Sequence, residues 1–449
     1  MNDFSNSALN NREEQRNDNQ NIDNEMISVE KYQILSSHLI KFWEIPPETI
    51  PSAIQQIFTS LKEFDAILSS GVLLPPMIFV KLHNYALALI TRPEIPENLI
   101  EPCLDIITDI ASDIDENIPE KTFTEVIFPA LFRFVDNSNH ALDAIAALVS
   151  GSLIATNSFF SIPGAYSKIE SFLQSDDEDQ IISALSIFQG IVSHKEVISE
   201  SVPLISSVCS FIMETTNSEL QTDAFYILIT AADTDSGLST IISNNNFHDI
   251  FVSAQNRTSF LTSLRLLRRI ATQMTGENPF AFFEKCNLLN FVLQGLNLET
   301  TRFISAGIIY TLSLDCPPAV GFFASNNIIN LILQWNGYDQ KLWFLGLRII
   351  SLFCLASPEI CLSLINEDGT SPFLDLVLEW LDAIDNPEFQ LDLVKVFARY
   401  ITLEHPKVKL YLSKNQEGII SVMENFMCDS EDDIYKIANM IITAVSTLS

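Results

Sequence analysis

The side chains best placed to do chemistry in this chain are basic residues one helical turn apart. Arg265 and Arg269 are four residues apart, as are Lys395 and Arg399; Arg268 adjoins the first pair and Arg348 lies between the two. Residues i and i+4 share one face of a helix. No acidic residue lies between Asp249 and Glu277. A guanidinium makes forked hydrogen bonds to carboxylate or phosphate, so the pattern predicts a site for an acidic or phosphorylated segment. The same spacing also describes exposed helix positions paired with nearby acids. Both readings stand at the level of sequence.

Other chemistries have little support. The chain holds no glycine-rich phosphate loop, no G-x-S-x-G nucleophile elbow and no H-E-x-x-H metal motif. Its six histidines (38, 83, 140, 194, 248 and 405) are far apart and lack Cys or His neighbours at ligand spacing. The seven cysteines (103, 209, 286, 316, 354, 361 and 428) are scattered, mostly in apolar runs such as Ser351-Leu352-Phe353-Cys354. Buried, reduced thiols are expected, not a disulfide frame or a zinc site. No catalytic residue, cofactor or metal ligand is expected, and the chain is read as a non-enzyme. Two acidic runs, Asp176–Asp179 and Asp429–Asp433, suit the first turns of following helices. Trp335, Trp343 and Trp380 sit in apolar helical contexts that suit core packing, although each could anchor an interface.

The elements that must position the stripe are legible as a repeat. Small residues Ala144, Ala184, Ala224, Ser263, Ser305 and Gly346 recur 40, 40, 39, 42 and 41 residues apart. Each opens the pattern small, apolar, any, apolar, apolar, as in Ala184-Leu185-Ser186-Ile187-Phe188 and Gly346-Leu347-Arg348-Ile349-Ile350. Looser copies follow at Leu393 and Ile437. A fixed period of about 40 residues signals stacked helical units. Arg265, Arg348 and Lys395 occupy the third position of this pattern, Arg269 and Arg399 the seventh. Helix starts are expected from capping boxes at Ser175 with Glu178 and Ser218 with Gln221, and from the cap-proline pairs Asn278-Pro279 and Ser357-Pro358.

Composition agrees. The chain has 449 residues, 47% hydrophobic, with only 13 Gly, and no sustained apolar/polar alternation of the strand kind. With 25 basic and 57 acidic residues its net charge is −32, which repels nucleic acid and anionic lipid and favours basic partners. The start is polar and acidic, without a signal-peptide pattern, so a cytoplasmic or nuclear location is expected.

With its Ser/Asp/Glu turn followed by Ala-Leu-Ser, the stretch Phe172-Leu173-Gln174-Ser175-Asp176-Asp177-Glu178-Asp179-Gln180, then Ala184-Leu185-Ser186, resembles the signature of armadillo repeats and, more loosely, HEAT repeats. The resemblance covers about 320 residues and implies a right-handed α-solenoid. It also implies that the third helix of each unit lines a concave face along which a partner binds. Armadillo proteins that clamp extended peptides carry Asn at the fourth motif position. Here that position holds Ile187, Ile227, Leu266, Ile308, Ile349 and Val396. Apolar side chains cannot pair with a peptide backbone, so importin-alpha-like capture is not expected. Either the groove is apolar, or the register is offset by one.

The resulting expectation is an all-α solenoid in three parts. Residues 1–27 form a disordered Asn-rich tail, 28–125 an irregular helical cap or degenerate repeats, and 126–449 about eight armadillo-like repeats. Helices in the cap should start near Ser28, Thr49, Pro76, Pro96 and Pro119. Function is expected to be non-catalytic protein binding as a scaffold or adaptor. The partner would be an acidic or phosphorylated segment or a helix, with no nucleic acid and no membrane. The rivals are an importin-like transport factor and a regulatory subunit of a phosphatase or chaperone.

Overall fold

The computed structural model describes residues 55–59, 61–62, 76–111, 120–197, 202–274, 278–335, 339–383, 386–429 and 432–447. The expected Asn-rich tail and the helix starts near Ser28 and Thr49 lie outside them. The chain divides into two compact units, Met1–Ala165 and Tyr166–Ser449. No strand occurs among the described residues.

In the first unit, α1 (Pro76–Ile90) and α2 (Ile100–Ile110) pack together, and α2 packs on α5 (Asn139–Gly151). Between them α3 (Glu120–Thr122), a π-helical turn over Phe123–Ile127 and α4 (Phe128–Phe132) run on continuously; α6 (Leu153–Phe160) follows α5. The expected start near Pro96 is met through a short 3-10 turn, Glu97–Leu99, while α1 and α3 begin at the edges of described stretches, beside the expected starts at Pro76 and Pro119. Arg133 ties α4 to the earlier chain by donating from Nη1 to the Arg92 carbonyl at 3.0 Å and from Nη2 to that of Pro93 at 3.2 Å.

His83 on α1 gives this unit a pH dependence. It is 4% exposed, and its Nε2 is buried without a hydrogen-bond partner. Burial lowers its pKa from 6.5 to about 4. Between those values the unfolded chain binds a proton that the native state does not. Stability is therefore fully present above the unfolded pKa and falls as pH drops toward 4, by at most about 1.4 kcal/mol per pH unit. Urea midpoints at pH 7 and pH 4.5 check this: His83→Leu should lose less stability between them than the parent. An equal loss would show that His83 is not held neutral.

The second unit begins with α7 (Ala165–Phe172) and α8 (Glu178–Ser193), then α9 (Val202–Glu214) and α10 (Ser218–Ala231). From there the helices come in threes, with two short and one long in the first three sets and a longer middle helix in the last two. These are α11 (Asp235–Ile242), α12 (Phe247–Ser253) and α13 (Phe260–Gln273), then α14 (Pro279–Lys285), α15 (Leu289–Gly295) and α16 (Glu299–Ser313). Next come α17 (Pro317–Ser325), α18 (Ile328–Leu333) and α19 (Gln340–Ala356), then α20 (Pro358–Ser363), α21 (Pro372–Ala383) and α22 (Pro387–Thr402). The last are α23 (Pro406–Lys414), α24 (Gln416–Asp429) and α25 (Asp432–Ser446). The long helices carry the repeated motif and stack in series, α8 on α10, then α13, α16, α19, α22 and α25.

The small first residue of the motif permits this approach. Ala184, Ala224, Ser263 and Ser305 are all 0% exposed. A Cβ on Gly346 would lie 2.6 Å from the Ile332 Cγ2 atom, so only glycine fits there. Two details of register differ from the expectation. In the last copy Ala438, not Ile437, takes the fully buried small position. The fourth-position residues Ile187, Ile227, Leu266, Ile308, Ile349 and Val396 are buried, at 0–1% exposure, so they build the core and not an apolar groove. The third position is the one that reaches outward, at Arg265, Arg348 and Lys395.

The caps follow the same logic of nearest oxygen. Asn278 and Ser357 cap α14 and α20 as expected, accepting from Phe280 N at 2.9 Å and Ile360 N at 3.4 Å. The two expected capping boxes do not form. Asp177 caps α8 in place of Ser175, and Asn217 caps α10 in place of Ser218. Gln221 is instead fully buried, donating to the Ile212 carbonyl at 2.8 Å and to Ser253 Oγ at 3.0 Å. Several corners use left-handed backbone supplied by Asn or Asp, at Asn256, Asn287, Asp315 and Asn327. These residues tolerate that conformation better than other non-glycines, which lets a chain poor in glycine turn sharply. Trp335 and Trp343 are 2% exposed and pack inside, whereas Trp380 is half-buried with its ring 4.8 Å from that of Phe344.

Candidate binding surface

The helix α13 sets the stripe. Leu264, Leu266, Leu267 and Ile270 are 0% exposed and fix which face turns inward. The helical period then sends Arg265, Arg268 and Arg269 to the other side. Arg265 is exposed and donates from Nη1 to the Tyr226 hydroxyl, 2.8 Å away on α10. Arg269 is half-buried and pairs with Asp233, which follows α10, through both Nε and Nη2. The Arg268 guanidinium lies 5.9 Å from the centroid of the Phe303 ring, over α16. Gly307 makes room for it: a Cβ there would stand 3.2 Å from the guanidinium carbon. Burial lowers the pKa of Arg268, but a guanidinium retains its charge at neutral pH.

On α19, Arg348 reaches both neighbours. Its guanidinium lies 5.4 Å from the Tyr310 centroid on α16, and Nη2 is 3.3 Å from Asp392 Oδ2 on α22. Arg268 and Arg348 therefore meet the same helix, α16, from either side. Lys395, three residues beyond Asp392, is exposed. Arg399 is half-buried, and its Nε is buried without a hydrogen-bond partner.

The six basic residues named from sequence thus lie along one series of packed helices, α13 to α22, with two of them already paired to acids. Arg269 and Arg348 hold carboxylates of this chain, as exposed helix positions paired with nearby acids would, while Arg265 and Lys395 face solvent. Missed from the sequence were the aromatic companions Tyr226, Phe303 and Tyr310. Tyr226 could have been found, because it holds the third motif position one period before Arg265. Reversing Arg269 would set a carboxylate against Asp233, so it does not serve as a plain surface probe.

Among the described residues no cluster of three or more His, Cys, Asp or Glu could hold a metal ion. No helix among them is long and apolar enough to cross a membrane. Six described cysteines are free thiols; all but Cys286 are buried, and the Cys428 side chain lies outside the described set.

No family model matches the chain, and no curated protein matches it. Solved structures do. An engineered protein superposes with a TM-score of 0.64 at 13% identity, over 91% of this chain and 98% of its own. A structure from work on the interaction between cadherin and beta-catenin, controlled by a conserved phosphorylation switch, superposes with a TM-score of 0.59 at 11% identity, over 92% of this chain and 86% of its own. These place the chain in the class of all-α helical-repeat solenoids. At such identities the likeness is one of fold.

Proposed function

We propose that this protein is a non-catalytic scaffold whose second unit binds an acidic segment of another protein along the α13–α22 stripe. The supporting observation is the run of Arg265, Arg268, Arg348 and Lys395, interleaved with Tyr226, Phe303 and Tyr310, in a chain of net charge −32. Planar guanidinium groups backed by aromatic rings bind carboxylate and phosphate with defined geometry. Arg269 and Arg348 would exchange an internal carboxylate for one of the partner. Beta-catenin, of the same fold, meets cadherin under a phosphorylation switch. For this chain the counterpart is a segment whose phosphorylation raises its charge and so its affinity. A cytoplasmic or nuclear site fits such a partner.

The test uses Arg265→Glu with Lys395→Glu, the two exposed members. Stability should change by about 1 kcal/mol or less per site. Fluorescence anisotropy with a short peptide rich in Glu and phosphoserine should show binding that weakens with salt and falls tenfold or more in the double variant. Unchanged affinity in a folded variant would remove the stripe from the binding surface.

A further inference from the structure

At the corner joining α19 to α20, Cys354 and Cys361 lie seven residues apart, and the Cys361 thiol donates to the Cys354 carbonyl at 3.0 Å. Tyr400 of α22 braces the corner: its hydroxyl donates to the Cys361 carbonyl at 2.9 Å and stands 3.9 Å from Cys354 Sγ. Both cysteines are 0% exposed, yet α20 itself is only six residues long, and its Glu359 and Ser363 are exposed. Short surface helices open locally more often than the core beneath them.

We propose that Cys354 and Cys361 are an oxidisable pair, closed by peroxide to a reversible disulfide that staples α20 to the end of α19. No other two cysteines in the chain are so close in sequence. The pair is also asymmetric. The Cys354 thiol and the Arg399 guanidinium draw the Cys361 thiol down, whereas burial pushes Cys354 up. Cys361, carried on the short helix that opens, is the sulfur that attacks, and Cys354, held near the end of α19, the one that resolves.

The chemistry balances with hydrogen peroxide as oxidant. As α20 opens, Cys361 gives up its proton and its thiolate attacks one peroxide oxygen. An S–O bond forms, the O–O bond breaks, and hydroxide leaves to take a proton. Cys361 is then a sulfenic acid, oxidised by two electrons, and the peroxide is reduced to water. Cys354 next loses its proton, and its sulfur attacks the Cys361 sulfur. The S–S bond forms, the S–O bond breaks, and the departing hydroxide becomes the second water. Tyr400 and Arg399 are positioning residues here, holding α20 down and favouring negative charge on Cys361.

The experiment exposes the full chain to hydrogen peroxide, alkylates free thiols, and maps peptides without reduction. The expected product is a Cys354–Cys361 link that dithiothreitol reverses, formed while buried Cys103 and Cys209 remain alkylatable. In Cys354→Ser the sulfenic acid on Cys361 should persist and be captured by dimedone. Tyr400→Phe, which removes the brace, should speed linkage severalfold. The proposal is overturned if Cys354 and Cys361 stay reduced, or are oxidised no faster than Cys209. It is equally overturned if Cys361 in Cys354→Ser gives no dimedone adduct.

Discussion

Trp335→Ala is expected to cost about 3–5 kcal/mol of stability, a large share of what a domain has to lose. Trp335 is 2% exposed and lies across the backbone of α19, where a Cβ on Gly346 would stand 3.1 Å from its ring. Removing the indole leaves a void that the facing glycine has no side chain to fill. Its Nε1 is buried without a hydrogen-bond partner, so Trp335→Phe gives up packing but no hydrogen bond and should cost less. Urea unfolding followed by circular dichroism reads both variants against the parent. A loss below about 1 kcal/mol for Trp335→Ala would place the ring outside the core and return it to the list of interface anchors.

A second large effect is expected from a single methyl group. In Gly295→Ala the new Cβ would lie 2.0 Å from Ser305 Oγ and 2.8 Å from Leu264 Cδ1. Overpacking of this kind costs about 1–3 kcal/mol. Ser305 is the small motif residue of α16, and its Oγ is buried without a partner. Ser305→Ala alone should therefore be close to neutral, and it removes the atom in closest conflict. The double variant should recover much of the loss, giving a favourable coupling energy in a double-mutant cycle. Additive losses would mean that the two helices part by some other movement, and that the small residue is not set by this contact.

Much of the fold was legible because burial repeats with a fixed period. Ala184, Ala224 and Ser263 stand out in the sequence for the same reason that they stack, since a larger side chain would force the long helices apart. The capping boxes were misplaced because several oxygen-bearing side chains crowd each start, Ser175 to Asp177 and Asn217 with Ser218, and local sequence does not say which will accept. The basic stripe was legible one residue at a time, but its partners were not. Asp233, Tyr226 and Phe303 are 35 to 39 residues from the arginines they meet, and Asp392 is 44 residues from Arg348. Which of them face each other depends on the exact stagger of neighbouring helices, a property of packing that no local pattern encodes. Sequence leaves open, for a related reason, whether the apolar fourth position marks a groove or an offset register: it gives the order of a helix face but not which side has a neighbour.

The cross-helix bonds carry one more consequence. Tyr166 meets Ser207, Gln189 meets Thr230, Ser259 meets Gln221, Arg265 meets Tyr226 and Arg257 meets Thr215, spanning 41, 41, 38, 39 and 42 residues. Each of these bonds joins a unit only to the next one along. A gene encoding such a chain can gain or lose length in whole periods, since each new junction repeats an old one in kind. Loss of half a period would leave every downstream helix facing the wrong neighbour. Duplication and excision are thus tolerated in quanta of one repeat, and lineages of this protein should differ in length by multiples of about 40 residues.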